Sequence, residues 1–481
     1  VKNGCQLITY PDSLGGDLSG LLTVIDRYLE DVITGVHVLP FYPSSADRGF
    51  APITYEKVEA SFGTWKDIEA LAARKDLIVD FMVNHISRQS PYFRDFVEKK
   101  DASPFRDFFV RYKEFWPVGR PTEEDLAKIY TRKPRPPFLE VDFADGSREK
   151  VWCTFDYEQI DLDLSRPATR RFIGEQLRGL CRRGAKVIRL DAVAYTTKRP
   201  GTKCFFLEPE IWEYLAFITE ELSGYDVELL PEVHEHYTLQ LALAEKGYWV
   251  YDFALPMLIL QALYDGDGKN LKRWLALCPR KQVTTLDTHD GIGVVDVVDL
   301  MDPKEIDRTK ENLFRRGANV KPIYSSQAYN NLDVYQLNCT YYSALGDDDD
   351  AYLLARAVQF FAPGIPQVYY VGLLAGRNDI ELLERTKQGR DINRHGYTLD
   401  EIEAETGREV VRKLFALMRF RNRSGFFDGG FRVEDTPDPL LSITRTGAAG
   451  EAVLEADLQS GDFTIRYREK GDTGFQVLGL P

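Results

Sequence analysis

The chain has 481 residues, and 61 Lys plus Arg against 75 Asp plus Glu give a formal net charge of −14, which argues against nucleic acid or an anionic membrane surface as the main partner. An apolar fraction of 44 % and a charged fraction of 28 % mark an ordinary globular chain, long enough for roughly three domains or for one large α/β barrel with insertions. No run of 18 uncharged apolar residues offers a membrane span, and Val1 to Tyr10 lacks the charged-then-apolar layout of a secretion signal, so a cytoplasmic protein is expected.

Short apolar, β-branched runs alternate with amphipathic text through most of the chain. The runs fall at 5–10, 35–40, 77–83, 187–190, 227–230, 249–251, 283–286 and 367–370, the number of strands in a closed parallel (β/α)8 barrel. Leu18, Leu21, Leu22, Ile25 and Leu29 share one helical face, as do Val410, Val411, Leu414, Leu417 and Met418. The gaps after the third and seventh strands exceed a barrel repeat, so both hold insertions. The first is rich in Phe, Pro and charge, and its run Thr131-Arg132-Lys133-Pro134-Arg135-Pro136-Pro137-Phe138 reads as a stiff loop. The second carries charged helical text and then a polar loop over 325–331, and Asp347 to Asp350 suit a solvated helix start. After about 427 the text turns to short alternating segments at 440–445, 452–458 and 463–468, an antiparallel β domain. The expected domains are a catalytic barrel (1–85, 166–290, 347–426), inserted domains at 86–165 and 291–346, and a C-terminal β-sheet domain at 427–481.

Tyr, Phe and Trp number 25, 28 and 6, an excess that suits either core packing or a sugar cleft, where ring faces stack on a pyranose. Cys5, Cys153, Cys181, Cys204, Cys278 and Cys339 show no CxxC spacing, which favours free buried thiols in a reducing compartment over zinc or redox chemistry.

Polar residues at the C-terminal ends of barrel strands converge on one face. Those ends read Asp80-Phe81-Met82-Val83-Asn84-His85, Val187-Ile188-Arg189-Leu190-Asp191, Leu229-Leu230-Pro231-Glu232-Val233-His234 and Leu286-Asp287-Thr288-His289-Asp290. One carboxylate ending a strand is ordinarily a loop cap or an ion-pair partner. Three in succession, Asp191, Glu232 and Asp290, with Arg189, His85 and His289 beside them, point to glycoside chemistry, in which two carboxyl groups about 5 to 5.5 Å apart replace an anomeric leaving group with retention. Asp191 beside Arg189 suits the nucleophile, kept ionised by the guanidinium. Glu232 follows an apolar strand and Pro231, a setting that favours the protonated form and suits the acid/base. Asp290 and His289 would bind ring hydroxyls and favour an oxocarbenium-like transition state. His85 would hold a sugar hydroxyl, the alternative being a satisfied core histidine.

These regions resemble, in order and spacing, the four signature regions of the alpha-amylase family, glycoside hydrolase family 13, and Gly364-Ile365-Pro366-Gln367-Val368-Tyr369-Tyr370 is similar to its late strand motif. The resemblance covers nearly the whole chain. Within the family the chain is most similar to the sucrose phosphorylases, on Tyr251-Asp252-Phe253-Ala254-Leu255-Pro256, His289-Asp290-Gly291-Ile292-Gly293-Val294, Asn331-Leu332-Asp333-Val334-Tyr335-Gln336 and Gly389-Arg390-Asp391-Ile392-Asn393-Arg394-His395. The resemblance implies that Asp47 and Arg394 clamp the glucosyl 4-hydroxyl region, that Phe50, Phe155, Gln159 and Tyr195 line the donor pocket, and that His234 also touches substrate. It implies double displacement to phosphate with no metal or organic cofactor, by a monomer or homodimer.

Phosphate must outcompete water, so the acceptor side needs a fixed anion site. Arg132, Lys133 and Arg135 from the first insertion, with Asp333, Tyr335 and Gln336 from the second, are the candidates. A solvated basic loop without a ligand is the alternative. Plain sucrose phosphorylases carry a Tyr-Arg-Pro-Arg-Pro-Gly context here, whereas this chain has Tyr130-Thr131-Arg132-Lys133-Pro134-Arg135-Pro136 and lacks the glycine. An arginine at or near position 132 in this loop resembles the relatives that phosphorolyse sucrose 6'-phosphate, whose ester phosphate needs its own guanidinium. A two-residue shift of the loop would exchange the roles of Arg132 and Arg135. Plain sucrose phosphorolysis, glucosylglycerate phosphorolysis and amylase-type hydrolysis are the other readings.

Overall fold

The computed structural model describes residues 1–131, 135–318 and 336–481. Eight strands make up the parallel sheet of a (β/α)8 barrel. In chain order they are β1 Gln6–Thr9, β2 Gly35–Val38, β3 Asp76–Met82, β4 Ala185–Asp191, β5 Glu228–Pro231, β6 Val250–Asp252, β7 Gln282–Thr284 and β8 Ile365–Tyr369. All eight expected runs are strands, and the chain divides into two compact units, Val38–Val233 and Val1–His37 with His234–Pro481.

In the unit Val38–Val233, β3, β4 and β5 lie side by side, with Met82 opposite Asp191 and Leu190 opposite Pro231. That register brings Asp191 and the residue after Pro231, Glu232, to neighbouring strand ends. Leu77 to Met82 are all buried, as expected for a strand covered on both faces. The helix Pro167–Arg182 starts with proline in its first turn and buries Phe172, Ile173, Leu177 and Leu180. Between β3 and β4, antiparallel pairs join His85–Ser87 to Gln159–Asp161 and Phe138–Asp142 to Arg148–Trp152. The aromatic excess is largely core in this region: Trp116 and Trp152 pack with Tyr112, Phe115 and Phe138, and Phe93, Phe96, Phe109 and Phe143 pack among themselves.

In the other unit the strand order is β6-β7-β8-β1. β7 stops at Thr284, two residues short of the expected end, because the chain leaves the ladder and Asp287 is tied instead to buried Arg356, at 2.8 and 2.9 Å. The first helix runs Leu18–Val24 and continues as a π-helical turn, Ile25–Leu29. Leu18, Leu21, Ile25 and Leu29 are buried, while Leu22 is half-buried at the edge of the stripe. Helix Pro303–Arg315 fills the charged text of the second gap; the polar loop 325–331 lies outside the described residues. Asp348 caps helix Asp349–Phe361, and Asp349 and Asp350 form its first turn. The C-terminal sheet has five antiparallel strands in sequential order, the three expected ones flanked by Phe431–Val433 and Gln476–Val477. The six cysteines are free, all buried except half-buried Cys181. Among the described residues no helix is long and apolar enough to cross a membrane.

Candidate active site

Arg189, buried on β4, is the hub of the strand ends in the unit Val38–Val233. Its Nη1 donates to Asp191 Oδ1 at 3.0 Å and pairs with fully buried Asp80, while Nη2 lies 3.4 Å from Glu232 Oε1. Glu232 Oε2 accepts the Ala192 N–H at 3.1 Å. Ala192 is left-handed, with φ +55°, an uncommon conformation for a residue with a Cβ, and it turns the chain from β4 into the 3-10 turn Val193–Thr196. Arg189 and Asp80 are sealed, but the side chains of Asp191 and Glu232 keep 13 and 12 % exposure, enough to meet a ligand. The apolar setting expected for Glu232 is corrected here: the strand before it is apolar, yet its carboxyl group faces a guanidinium and a backbone N–H.

The expected donor-pocket residues of this unit come together beside that hub. His85 Nε2 lies 2.9 Å from the Phe50 carbonyl, which also accepts from Gln159 Nε2 at 3.0 Å. Phe155 meets His85 edge-on at 5.4 Å and Tyr195 at 4.9 Å. Burial lowers the His85 pKa, so the ring is neutral at pH 7 and can both donate and accept. The Phe50 ring lies 5.8 Å from the Arg189 guanidinium. Asp47 and Arg48 before it are left-handed, and a Cβ on Gly49, φ +109°, would meet the Pro40 carbonyl oxygen at 2.5 Å, so the chain reaches Phe50 through a turn that needs glycine. Arg135 is folded back onto the segment 153–157: it donates to the Phe155 carbonyl at 3.1 Å and stacks 4.1 Å from the Tyr157 ring. Arg132 and Lys133 lie outside the described residues.

The unit containing His234–Pro481 holds a second group. Asp290 Oδ1 pairs with Arg390 at 3.0 Å, and its Oδ2 lies 3.8 Å from both His234 Nε2 and His289 Nε2. The His234 ring stacks on Phe253 at 3.8 Å, and Phe253 on Tyr251 at 4.8 Å. Arg394 donates to the His289 carbonyl at 3.0 Å and lies 5.5 Å from the Tyr10 ring. Gln336 Oε1 accepts the Gly291 N–H at 3.4 Å; Asp333 and Tyr335 lie outside the described residues.

The family model "Alpha amylase, catalytic domain" matches residues 3–246. The chain belongs to the alpha-amylase family. It is 50 % identical over 475 residues to the sucrose phosphorylase of Streptococcus mutans serotype c, covering 98 % of this chain and 99 % of that one. It is 46 % identical over 478 residues to the glucosylglycerol phosphorylase of Marinobacter adhaerens, covering 98 % of each. The crystal structure of sucrose 6F-phosphate phosphorylase from Thermoanaerobacter thermosaccharolyticum matches with a TM-score of 0.94 at 45 % identity, over 99 % of this chain and 98 % of that one. This alpha-amylase-family chain is therefore an enzyme of the sucrose phosphorylase group.

Four further residues belong to this alpha-amylase-family site. Asp80 and Arg390 lie inside the motifs 80–85 and 389–395, so the sequence carries a signal for them. Asp161 and Lys198 carry no motif: the Lys198 side chain, 5 % exposed, pairs with Asp161 at 2.9 Å and donates to Asn84 Oδ1 at 3.0 Å, joining the end of β3 to the strand Gln159–Asp161.

Proposed function

We propose that this enzyme is a retaining phosphorylase that transfers glucose from sucrose 6'-phosphate, or from sucrose, to inorganic phosphate. The observation that carries the reading is the pair of half-open carboxylates, Asp191 and Glu232, held on one buried guanidinium, an arrangement suited to the short carboxyl separation of about 5 to 5.5 Å in retaining enzymes. Asp191 attacks the anomeric carbon while Glu232 gives its proton to the glycosidic oxygen, releasing fructose 6-phosphate or fructose. Phosphate then displaces Asp191 from the covalent β-glucosyl ester, yielding its proton to Glu232 and leaving as α-glucose 1-phosphate. Asp290 supports the positive charge that builds at the anomeric centre. Phe50, His85, Phe155, Gln159 and Tyr195, with Asp47, His234, His289 and Arg394, bind the sugar substrate, and Arg132, Lys133, Arg135, Asp333, Tyr335 and Gln336 serve the acceptor. No metal or organic cofactor takes part, and the enzyme works in the cytoplasm.

The arginine at 132, in a loop without the glycine, supports the phosphorylated substrate, whereas the 50 % identity to a relative named sucrose phosphorylase favours plain sucrose as the second reading. Initial rates on both sugars, with and without phosphate, test them. Glucose 1-phosphate of the α configuration should form only with phosphate, and kcat/KM should be at least about tenfold higher for sucrose 6'-phosphate. Equal efficiency on the two sugars refutes the substrate preference, and phosphate-independent release of glucose refutes the phosphorylase. Asp191→Ala should lower kcat by on the order of 10⁴ or more, and Glu232→Gln should slow poor leaving groups most.

A further inference from the structure

Asp296 ends the run Asp290-Gly291-Ile292-Gly293-Val294-Val295-Asp296, on the 3-10 turn Val295–Val297. It is 2 % exposed, and neither carboxylate oxygen has a hydrogen-bond partner among the described residues. A bare buried carboxylate is costly unless a cation faces it. The group that faces it is an imidazole: His234 Nδ1 lies 3.8 Å from Asp296 Oδ2. Gly293 makes the room, because a Cβ there would collide with that same oxygen.

The opposite edge of the ring meets Asp290, with His234 Nε2 3.8 Å from Oδ2, and the stack on Phe253 fixes the ring plane. The other titratable and charged groups around it are His289, 3.8 Å from the same Asp290 oxygen, Arg390, which pairs with Asp290 Oδ1 at 3.0 Å, and Asp252, whose carboxyl group feels the charge of Asp296. Glu232 precedes His234 by two residues in the chain. Arg390 pairs with Asp290, whereas the group that faces Asp296 among the described residues is His234, so a proton on His234 gives Asp296 its counter-charge.

We propose that Asp296 is a positioning residue that holds a proton on Nδ1 of His234, so that His234 is a fixed cation beside Asp290. At 3.8 Å the pairing acts through charge, since a hydrogen bond is shorter. Resting on the phosphorolysis reading, this cation serves the incoming phosphate, which binds through charge-assisted hydrogen bonds.

The 481-residue chain carrying ¹³C,¹⁵N-histidine shows six imidazoles, and His234→Gln assigns the one in question. In the unsubstituted enzyme His234 should remain doubly protonated above pH 8, and Asp296→Asn should lower its midpoint by at least about one pH unit. In kinetics, Asp296→Asn should raise KM for inorganic phosphate about tenfold with a smaller change in kcat, and move the alkaline limb of kcat/KM for phosphate down by the same pH interval. A neutral His234 at pH 7 in the unsubstituted enzyme, or an unmoved midpoint in Asp296→Asn, overturns the proposal. Absence of phosphate dependence in the unsubstituted enzyme refutes the phosphorolysis reading instead, and the titration still decides whether Asp296 holds the proton.

Discussion

Burial and local donors set the charge state of the polar side chains around the strand ends. Asp252 at the end of β6 accepts from Trp274 Nε1 at 3.0 Å and from the Leu255 N–H at 3.0 Å, yet its complete burial pushes its pKa from 3.8 up to about 6. A carboxyl group whose folded pKa lies above its unfolded one holds its proton more tightly in the native state. Its stabilising contribution is therefore complete below about pH 4 and is lost as pH rises through about 6, a change of roughly 3 kcal/mol. Asp252→Asn cannot titrate. Relative to the unsubstituted enzyme it should gain stability between pH 4 and pH 7, whatever constant offset its altered hydrogen bonds introduce. Denaturant unfolding of both proteins across that range measures the difference, and parallel pH profiles would contradict the assignment. The same logic in the opposite direction keeps His85 neutral, because burial there disfavours the cation.

Single side chains of this kind hold whole elements in place. The Lys198 ammonium bonds Asn84 after β3 at 3.0 Å, Asp161 at 2.9 Å and the Tyr195 carbonyl at 2.5 Å, so three segments that carry His85, Gln159 and Tyr195 meet at one charge. Lys198→Met keeps most of the aliphatic stem and leaves Asp161, fully buried, with the Thr154 N–H and hydroxyl as its donors among the described residues. The expected cost is about 3 to 5 kcal/mol, the range for breaking a buried pair from one side, with a raised KM for the sugar donor. An unfolding free energy within about 1 kcal/mol of the original, with KM unchanged, would count against this role. Such links explain what the sequence hides. The eight strands were legible because buried parallel strands are continuous β-branched runs, and Asp191, Glu232 and Asp290 because each follows one. Lys198 with Asp161, and His234 with Asp296, are pairings across chain that no spacing rule relates, and the left-handed Ala192 looks in the sequence like any alanine. The environment of Glu232 is hidden in the sequence for the same reason: its guanidinium comes from a different strand.

Across the whole molecule the net charge of −14 coexists with arginines committed to the interior, since Arg189, Arg356, Arg421 and Arg445 are all buried. Arg445 joins the C-terminal sheet to the last barrel elements, and Arg421 joins the segments that lead into β1 and β8. Arg445, on the strand Leu440–Gly447, donates to the Phe361 and Ala362 carbonyls at 3.4 and 3.3 Å and to the Phe427 carbonyl at 2.6 Å. It thereby satisfies carbonyls left open at the end of helix Asp349–Phe361 and sets a positive charge at that helix's negative end. Arg421 donates to the Gly364 carbonyl at 2.9 Å, just before β8, and to Asn3 Oδ1 at 2.7 Å, just before β1. Burial pulls Arg445 down to about 9 and Arg421 to about 10, which still leaves both charged at pH 7. Arg445→Met should retain much of the packing but leave these carbonyls without their donor, at a cost of about 3 kcal/mol. Because the hydrogen bonds of Arg445 go to the end of helix Asp349–Phe361 and to Phe427, kcat on the natural donor should stay within about twofold. Unfolding curves, limited proteolysis over residues 427–481 and initial rates check this together: a lower midpoint and faster cleavage of the sheet at unchanged kcat is the expected pattern. A large fall in kcat at unchanged stability would mean that the C-terminal sheet reaches the chemistry and does more than brace the barrel.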